Sequence, residues 1–154
     1  MILAGRRVVL DTALLLLWLV GRTDLNLLRT FKRVSSFAPE DVYLLTDLLS
    51  NTTDVITTPH VLAEVSNFVD QSPQYSRQAL IRSFQAFAES HPELYLEAKS
   101  LVARPQFFSL GLTDTGLVEL SSQAAILTVD YRLVGKIQAF GGSAENFNNL
   151  RKAR

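Results

Sequence analysis

The chain has 154 residues, of which 47% are hydrophobic and 19% are charged, enough to build one domain with a full apolar core. Fifteen basic residues balance fifteen acidic ones, so no overall field attracts nucleic acid or an anionic membrane, and any such contact must be local. Without cysteine and with only two histidines, the sequence excludes a disulfide framework, a thiolate zinc site, a cysteine nucleophile and a histidine-rich metal site.

The first apolar block follows two arginines and reads VVLDTALLLLWLV, which superficially resembles a signal peptide. However, Asp11 interrupts it, and the unbroken apolar stretch 13–20 is shorter than the ~20 residues that a bilayer span needs. We therefore predict a buried strand, Arg7–Leu10, and a buried helix over residues 12–20 that Gly21 ends. The expected protein has no membrane span and is located in the reducing cytoplasm.

Helices and strands alternate along the rest of the chain. The predicted helices cover residues 25–33, a segment from Pro39 onward, 59–70 with Thr58 as the cap, 76–91, 93–103, 114–123 and 131–140. The predicted strands cover residues 55–57 and 125–129, with a last short strand near 145–147. This alternation predicts that residues 1–154 form a single α/β domain of three layers, with a mostly parallel central sheet.

Four acidic residues, Asp11, Glu64, Asp114 and Asp130, lie in separate and otherwise apolar blocks. Asp11 and Asp130 each follow a predicted strand and precede a helix, where ligands bind in open parallel sheets. The alternative for both is an ordinary helix N-cap. Asp114 also begins a predicted helix, with Thr113 as a rival for the cap. Clustered carboxylates without cysteine or histidine favour a hard cation such as Mg²⁺ or Mn²⁺.

Glu64 has no capping role, because it falls in the middle of a predicted helix. At helical spacing it aligns with Val61, Val65 and Phe68, so it borders the stripe predicted to face the core. A carboxylate there is costly to desolvate unless it is paired or hydrogen-bonded. The alternatives are a salt bridge to an arginine or a side chain that bends outward to water. We favour Glu64 as a metal ligand.

Other residues are weaker candidates. Thr12 and Thr128 flank two of the acids and can orient a carboxylate or a bound water, although threonine is common at strand ends. Asn67 lies one turn after Glu64 and either reaches the same cavity or is a surface amide. His60 begins a helix without an evident carboxylate partner, so we interpret it as structural.

Two groups of basic residues are candidates for holding an RNA backbone, although charged runs are usually solvated faces. One group lies toward the C-terminus and contains Arg132, Lys136, Arg151, Lys152 and Arg154. The other contains Arg22, Arg29, Lys32 and Arg33. We select Arg132, Lys136 and Arg22 as candidate RNA contacts.

The order of the four acids resembles the PIN domain, a family of metal-dependent nucleases that includes the VapC-like toxins. The resemblance is carried by the segments DT, TTPHVLAEV, LTDTGLVELS and ILTVDYRL, and by ENFNNL as the closing strand, and it covers roughly residues 8–150. Ala13 stands where many relatives have Asn or Ser, and Leu133 where some have a further acid. The first difference affects a hydrogen bond beside the site, and the second weakens a second metal site.

The resemblance implies an endoribonuclease that hydrolyses RNA phosphodiester bonds with one or two Mg²⁺ or Mn²⁺ ions. Asp11 and Asp130 would anchor the first ion, and Glu64 and Asp114 would complete the site. A toxin of this family would have a small antitoxin partner, and the leucine-rich helices are compatible with a homodimer. The alternatives are a catalytically weak PIN-like interaction module and a receiver-type phosphoacceptor domain, which would give Glu64 no role.

Overall fold

The computed structural model describes residues 3–153, and a sheet of parallel strands lies at their centre. In this part of the chain the sheet has four strands in the order β2-β1-β3-β4, and every neighbouring pair is parallel. The strands are β1 (Arg7–Leu10), β2 (Asp54–Ile56), β3 (Ala125–Thr128) and β4 (Ser143–Asn146). Since all four run the same way, their last residues lie at one edge of the sheet, here called the carboxyl edge.

Helices make up most of the connections between strands. They are α1 (Thr12–Thr23), α2 (Leu27–Thr30), a 3₁₀ turn (Lys32–Val34), α3 (Pro39–Ser50), α4 (Pro59–Val69), α5 (Gln74–Ser90), α6 (Ala98–Val102), α7 (Phe107–Leu110), α8 (Leu112–Leu120), α9 (Tyr131–Phe140) and α10 (Phe147–Lys152). α1 contacts α3, α4 and α5, and α8 contacts α4, α6, α7 and α9.

The two central strands are buried on both faces. Val8, Val9 and Leu10 of β1 are buried, as are all four residues of β3. Because neighbouring residues of a strand point to opposite faces, helices must cover the sheet on both sides. The predicted α/β fold of three layers is therefore confirmed, and the sheet is parallel throughout residues 3–153.

The prediction that Gly21 ends the first helix is wrong. α1 continues through Gly21 to Thr23, and Asp24 is its C-cap. Glycine is needed here for tertiary packing, because the side chain of Val42 in α3 occupies the space that a β-carbon at position 21 would need. A glycine that looks like a helix stop in the sequence instead allows α1 and α3 to approach each other.

The segment after α5 also differs from its prediction. Only Ala98–Val102 of the predicted helix 93–103 is helical, because the residues before it pair with the end of β2. Thr57 N–H donates to the Pro92 carbonyl at 3.1 Å, and Leu94 N–H donates to the Thr57 carbonyl at 2.9 Å. Pairing with a distant strand end thus replaces local helix formation.

Two further elements differ from their predictions. The predicted helix 25–33 is two short pieces, α2 and the 3₁₀ turn, separated by Phe31 in extended conformation. The closing strand ends at Asn146, and Phe147 begins α10 instead of ending the strand. The short helix α7 was not predicted, nor was α10. Within residues 3–153, no helix combines the length and the apolar content that a bilayer crossing requires.

Candidate functional site

Asp11 directly follows β1 and is the N-cap of α1, so its position combines a strand end with a helix start. Its Oδ1 accepts the N–H of Leu14 at 2.8 Å, while its Oδ2 accepts the Thr128 hydroxyl and the N–H of Val129. The side chain is buried. Burial raises the pKa of Asp11, and these three hydrogen bonds oppose that rise, whereas the nearby charge of Asp130 adds to it.

Asp130 occupies the equivalent place after β3, where it is the N-cap of α9. Its Oδ1 accepts the N–H of Arg132 at 2.8 Å and that of Leu133 at 3.4 Å. Its own N–H donates to the hydroxyl of Thr128 at 3.0 Å. Capping is therefore an actual role of both Asp11 and Asp130, and it places the two carboxylates side by side at the carboxyl edge.

Glu64 lies in the second turn of α4 and is exposed, so the predicted cost of desolvating it does not arise. Its two oxygens are nevertheless held, since Oε1 accepts the hydroxyl of Thr12 at 2.9 Å and Oε2 accepts that of Thr113 at 2.6 Å. Val61 and Val65, on the neighbouring stripe of α4, are fully buried. Glu64 therefore points away from the core and across the carboxyl edge.

Asp114 is not a helix cap. α8 begins at Leu112 with Gly111 as its N-cap, which places Asp114 in the first turn. Burial, together with the charges of Asp11, Glu64 and Asp130, raises the pKa of Asp114 to about 7, and Arg132 partly offsets that rise. Within residues 3–153, no hydrogen-bond donor contacts the Asp114 carboxylate, so nothing but this arginine counters the repulsion.

Threonine hydroxyls connect the four acids. Thr128 donates to Asp11 and accepts from the N–H of Asp130, which joins the ends of β1 and β3. Glu64 accepts from Thr12, the neighbour of Asp11, and from Thr113, the neighbour of Asp114. Four segments that are far apart in the sequence are thus held at one edge of the sheet, each bringing one carboxylate.

The sequence does not predict the contact of Thr113 with Glu64, because a threonine at a helix start indicates only a possible cap. The available signal was its position beside an acid, since Thr12 follows Asp11, Thr113 precedes Asp114, and Thr128 lies two residues before Asp130. A threonine near an acid can fix a carboxylate from another segment, but sequence alone does not say which one.

The carboxylates suit a hard cation by their chemistry, although their present arrangement is not a finished metal site. All ligands that the four acids offer are oxygens, as Mg²⁺ and Mn²⁺ prefer. Asp11 retains one acceptor position on Oδ1, and Glu64 retains one on each oxygen. In residues 3–153, however, no group of three or more His, Asp or Glu side chains is arranged to hold an ion.

Two other predicted residues form no hydrogen bond with the four acids within residues 3–153. Asn67 is exposed, and in the described part of the chain no hydrogen bond joins it to the four acids. His60 lies in the first turn of α4, and its Nδ1 is buried without a hydrogen-bond partner among residues 3–153. Neither side chain is connected to the carboxylates.

The three candidate RNA contacts lie at different places relative to the four acids. Arg132 lies at the site, because its charge acts on Asp114 and its guanidinium donates to the Ser109 carbonyl at 3.2 Å. Lys136 follows one turn later on α9 and is exposed. Arg22 lies near the far end of α1, about 15 Å from Thr12 at ~1.5 Å per residue, and its guanidinium covers the ring of Trp18.

No protein-family model matches this chain, and no curated protein sequence matches it. The resemblance to PIN domains therefore depends on the residues of the chain itself, and the activity that it implies is a proposal.

Proposed function

We propose that the chain is a metal-dependent endoribonuclease of the PIN type. The observation that carries this proposal is the bridge by Glu64 between Thr12 and Thr113, together with the link by Thr128 between Asp11 and Asp130. The bridge holds α4, which carries Glu64, near the other carboxylates, although the mutual repulsion of the carboxylates opposes this. A receiver-type phosphoacceptor domain gives no reason for a carboxylate at this position of α4.

The residues proposed to hold a cation are Asp11, Asp130, Glu64 and Asp114, with Mg²⁺ or Mn²⁺ as the expected ion. When bound, such an ion polarises the phosphodiester and supplies activated water. Asp11 is held in one orientation by its three hydrogen bonds, so it needs little ordering to act as a ligand. Glu64 and Asp114 must reorient to meet it, since no group of three acids converges in the described conformation.

The proton on Asp114 is part of the proposed mechanism. With a pKa of about 7, this carboxylate is largely protonated below neutral pH, which removes one of four mutually repelling charges. A cation that binds to the site must displace this proton. Arg132 lies beside Asp114 and provides positive charge for an RNA phosphate that would otherwise meet only carboxylates.

The test is cleavage of a fluorescently labelled single-stranded RNA by the purified full chain across a series of Mg²⁺, Mn²⁺ and EDTA. We expect metal-dependent cleavage that Asp11→Asn and Glu64→Gln each reduce by more than about 100-fold, beyond the effect typical of residues that only orient a ligand. Asparagine at position 11 can keep the helix cap through its Oδ1, but its NH2 group cannot accept the Thr128 hydroxyl and the N–H of Val129, so the melting temperature of the variant is measured beside its activity. Asp47→Asn, an exposed acid on α3, is the matched control and should retain full activity.

Absence of cleavage by the wild-type chain at every metal concentration would overturn the proposal. Equal activity of Glu64→Gln and Asp47→Asn would also overturn it. If Glu64 had no role in cleavage, Asp11 and Asp130 would be explained as ordinary helix caps.

A further inference from the structure

Two aromatic side chains beside the carboxyl edge are almost entirely in water. Phe108 is 89% exposed and Tyr131 is 76% exposed. Large apolar side chains contribute to stability mainly when they are buried, so the exposed surface of these two rings adds little to the fold, although the Phe108 ring meets that of Phe107 edge-on with centroids 5.9 Å apart. Exposed aromatic groups next to a polar site are typical of surfaces that bind a partner or a ligand.

Both side chains lie on segments that adjoin the acidic residues of the site. Tyr131 directly follows Asp130 and is the first residue of α9. Phe108 lies in α7 and precedes Ser109, whose carbonyl accepts a hydrogen bond from Arg132 at 3.2 Å. α8, which carries Asp114, begins directly after Gly111. The arginine thus ties the segment of Phe108 to the start of α9.

The cations next to these rings favour a nucleic-acid strand as the occupant. Arg132 and Lys136 are exposed and lie one turn apart on α9, so they share a face of the helix next to Tyr131. An apolar helix of another protein would have to desolvate these cations, whereas RNA phosphates would neutralise them. Aromatic faces close to cations are the combination that binds unpaired nucleotides.

We propose that Phe108 and Tyr131 are base-stacking side chains that hold an unpaired RNA strand against the carboxyl edge, with Arg132 and Lys136 on its phosphates. This inference rests on the proposed nuclease function and specifies how its substrate is held. Bases in a duplex have no free faces to offer, so the two rings favour unpaired RNA over paired RNA. They act by positioning the strand and not on the reacting bond.

The test is binding of a single-stranded RNA of about 12 nucleotides that contains 2-aminopurine, measured with the full chain by fluorescence quenching and by anisotropy. Measurements are made in EDTA and in Ca²⁺, and an abasic strand of equal length is the comparison. The variants are Phe108→Ala, Tyr131→Ala, Tyr131→Phe and Phe108→Leu. Tyr43→Ala, on α3, is the matched control, since Tyr43 is 59% exposed.

We expect each alanine variant to raise the Kd by about 5-fold to 150-fold for the base-containing strand and to diminish the quenching. Tyr131→Phe should retain both signals, because it keeps the ring, and Tyr43→Ala should match the wild type. Phe108→Leu should behave like the alanine variant. Affinity for the abasic strand should be the same in all these proteins.

Three results would overturn the inference. The first is that the wild type fails to bind or to quench, or that both alanine variants behave as the wild type does. The second is that leucine fully replaces Phe108, which would indicate an apolar docking surface. The third is that the alanine variants change the sedimentation of the free protein, which would assign the rings to a second copy of the chain.

The proposed function can fail separately from this inference. If the wild type binds and quenches RNA but never cleaves it, the nuclease proposal fails and the stacking surface stands. If the wild type cleaves RNA while the alanine variants bind as tightly as it does, the nuclease proposal stands and the stacking surface fails.

Discussion

Asp114→Asn should stabilise the metal-free protein at neutral and alkaline pH. The pKa of Asp114 rises from 3.8 in the unfolded chain to about 7 in the folded one, mainly because of burial and then because of the charges of Asp11, Glu64 and Asp130. Between these two values the folded chain binds a proton that the unfolded chain has lost. The free energy of unfolding therefore falls as the pH rises through this window and levels off above about 7.

The expected magnitude follows from the same two values. A difference of about 3 corresponds to about 4 kcal/mol at ~1.4 kcal/mol for each pH unit. Because Asp114 is half-buried and water screens part of the repulsion, we expect between about 2 and 4 kcal/mol. Asparagine has nearly the same shape and no charge, so the variant avoids this cost. Its advantage over the wild type should be small at pH 4 and complete at pH 8.

The assay is urea denaturation of both proteins in EDTA at intervals between pH 4 and pH 8. Asp47→Asn is the control, and it should stay within about 0.5 kcal/mol of the wild type throughout. Adding Mg²⁺ at ten times its Kd should stabilise the wild type by about 1.4 kcal/mol and the Asp114→Asn variant by less. If the curves of wild type and Asp114→Asn run parallel from pH 4 to pH 8, burial and the neighbouring carboxylates do not raise the pKa of Asp114 as described.

Three further outcomes are expected. Cleavage at limiting metal should increase as the pH rises through about 7, because Asp114 must lose its proton before it can bind a cation; a flat pH profile would contradict this. Arg151→Ala should lower the free energy of unfolding by about 3 to 5 kcal/mol in urea, since it leaves the fully buried Asp41 without its 2.9 Å ion pair. Gly21→Ala should lower the melting temperature by the equivalent of about 1 to 3 kcal/mol, because its methyl group meets Val42. Gly135→Ala, where nothing lies within 4 Å, is the control and should be neutral or stabilising.

Much of the fold could be predicted because its signals are local. β1 and α9 have the predicted boundaries, since β1 is an apolar run that ends before Asp11, the cap of α1, and α9 is an amphipathic run that begins after its own cap, Asp130. Thr58 caps α4 and Pro59 is its first residue, as their order in the chain predicts. A cap, a proline and a hydrophobic period all act within a few residues, so they can be seen without knowing the rest of the chain.

The places where prediction failed depend on contacts between distant segments. Gly21 lies inside α1 because α3 packs against it, and residues 92–94 are extended because the end of β2 offers them hydrogen bonds. Arg151, chosen as part of a basic surface, instead pairs with the buried Asp41 at the start of α3. In each case a partner far along the chain outweighs the local preference.

The sequence by itself determined that Asp11 and Asp130 each follow a strand and begin a helix, whereas the tertiary structure made those two strands neighbours in the sheet. Only the tertiary structure decided how Glu64 and Asp114 join them. Glu64 is exposed and not buried, and it is held by hydroxyls from α1 and α8, which lie 52 and 49 residues away in the chain. Asp114 owes its raised pKa to burial and to charges brought by three other segments. Hydrogen bonds and repulsion depend on distance in space, and spacing along the chain does not define that distance.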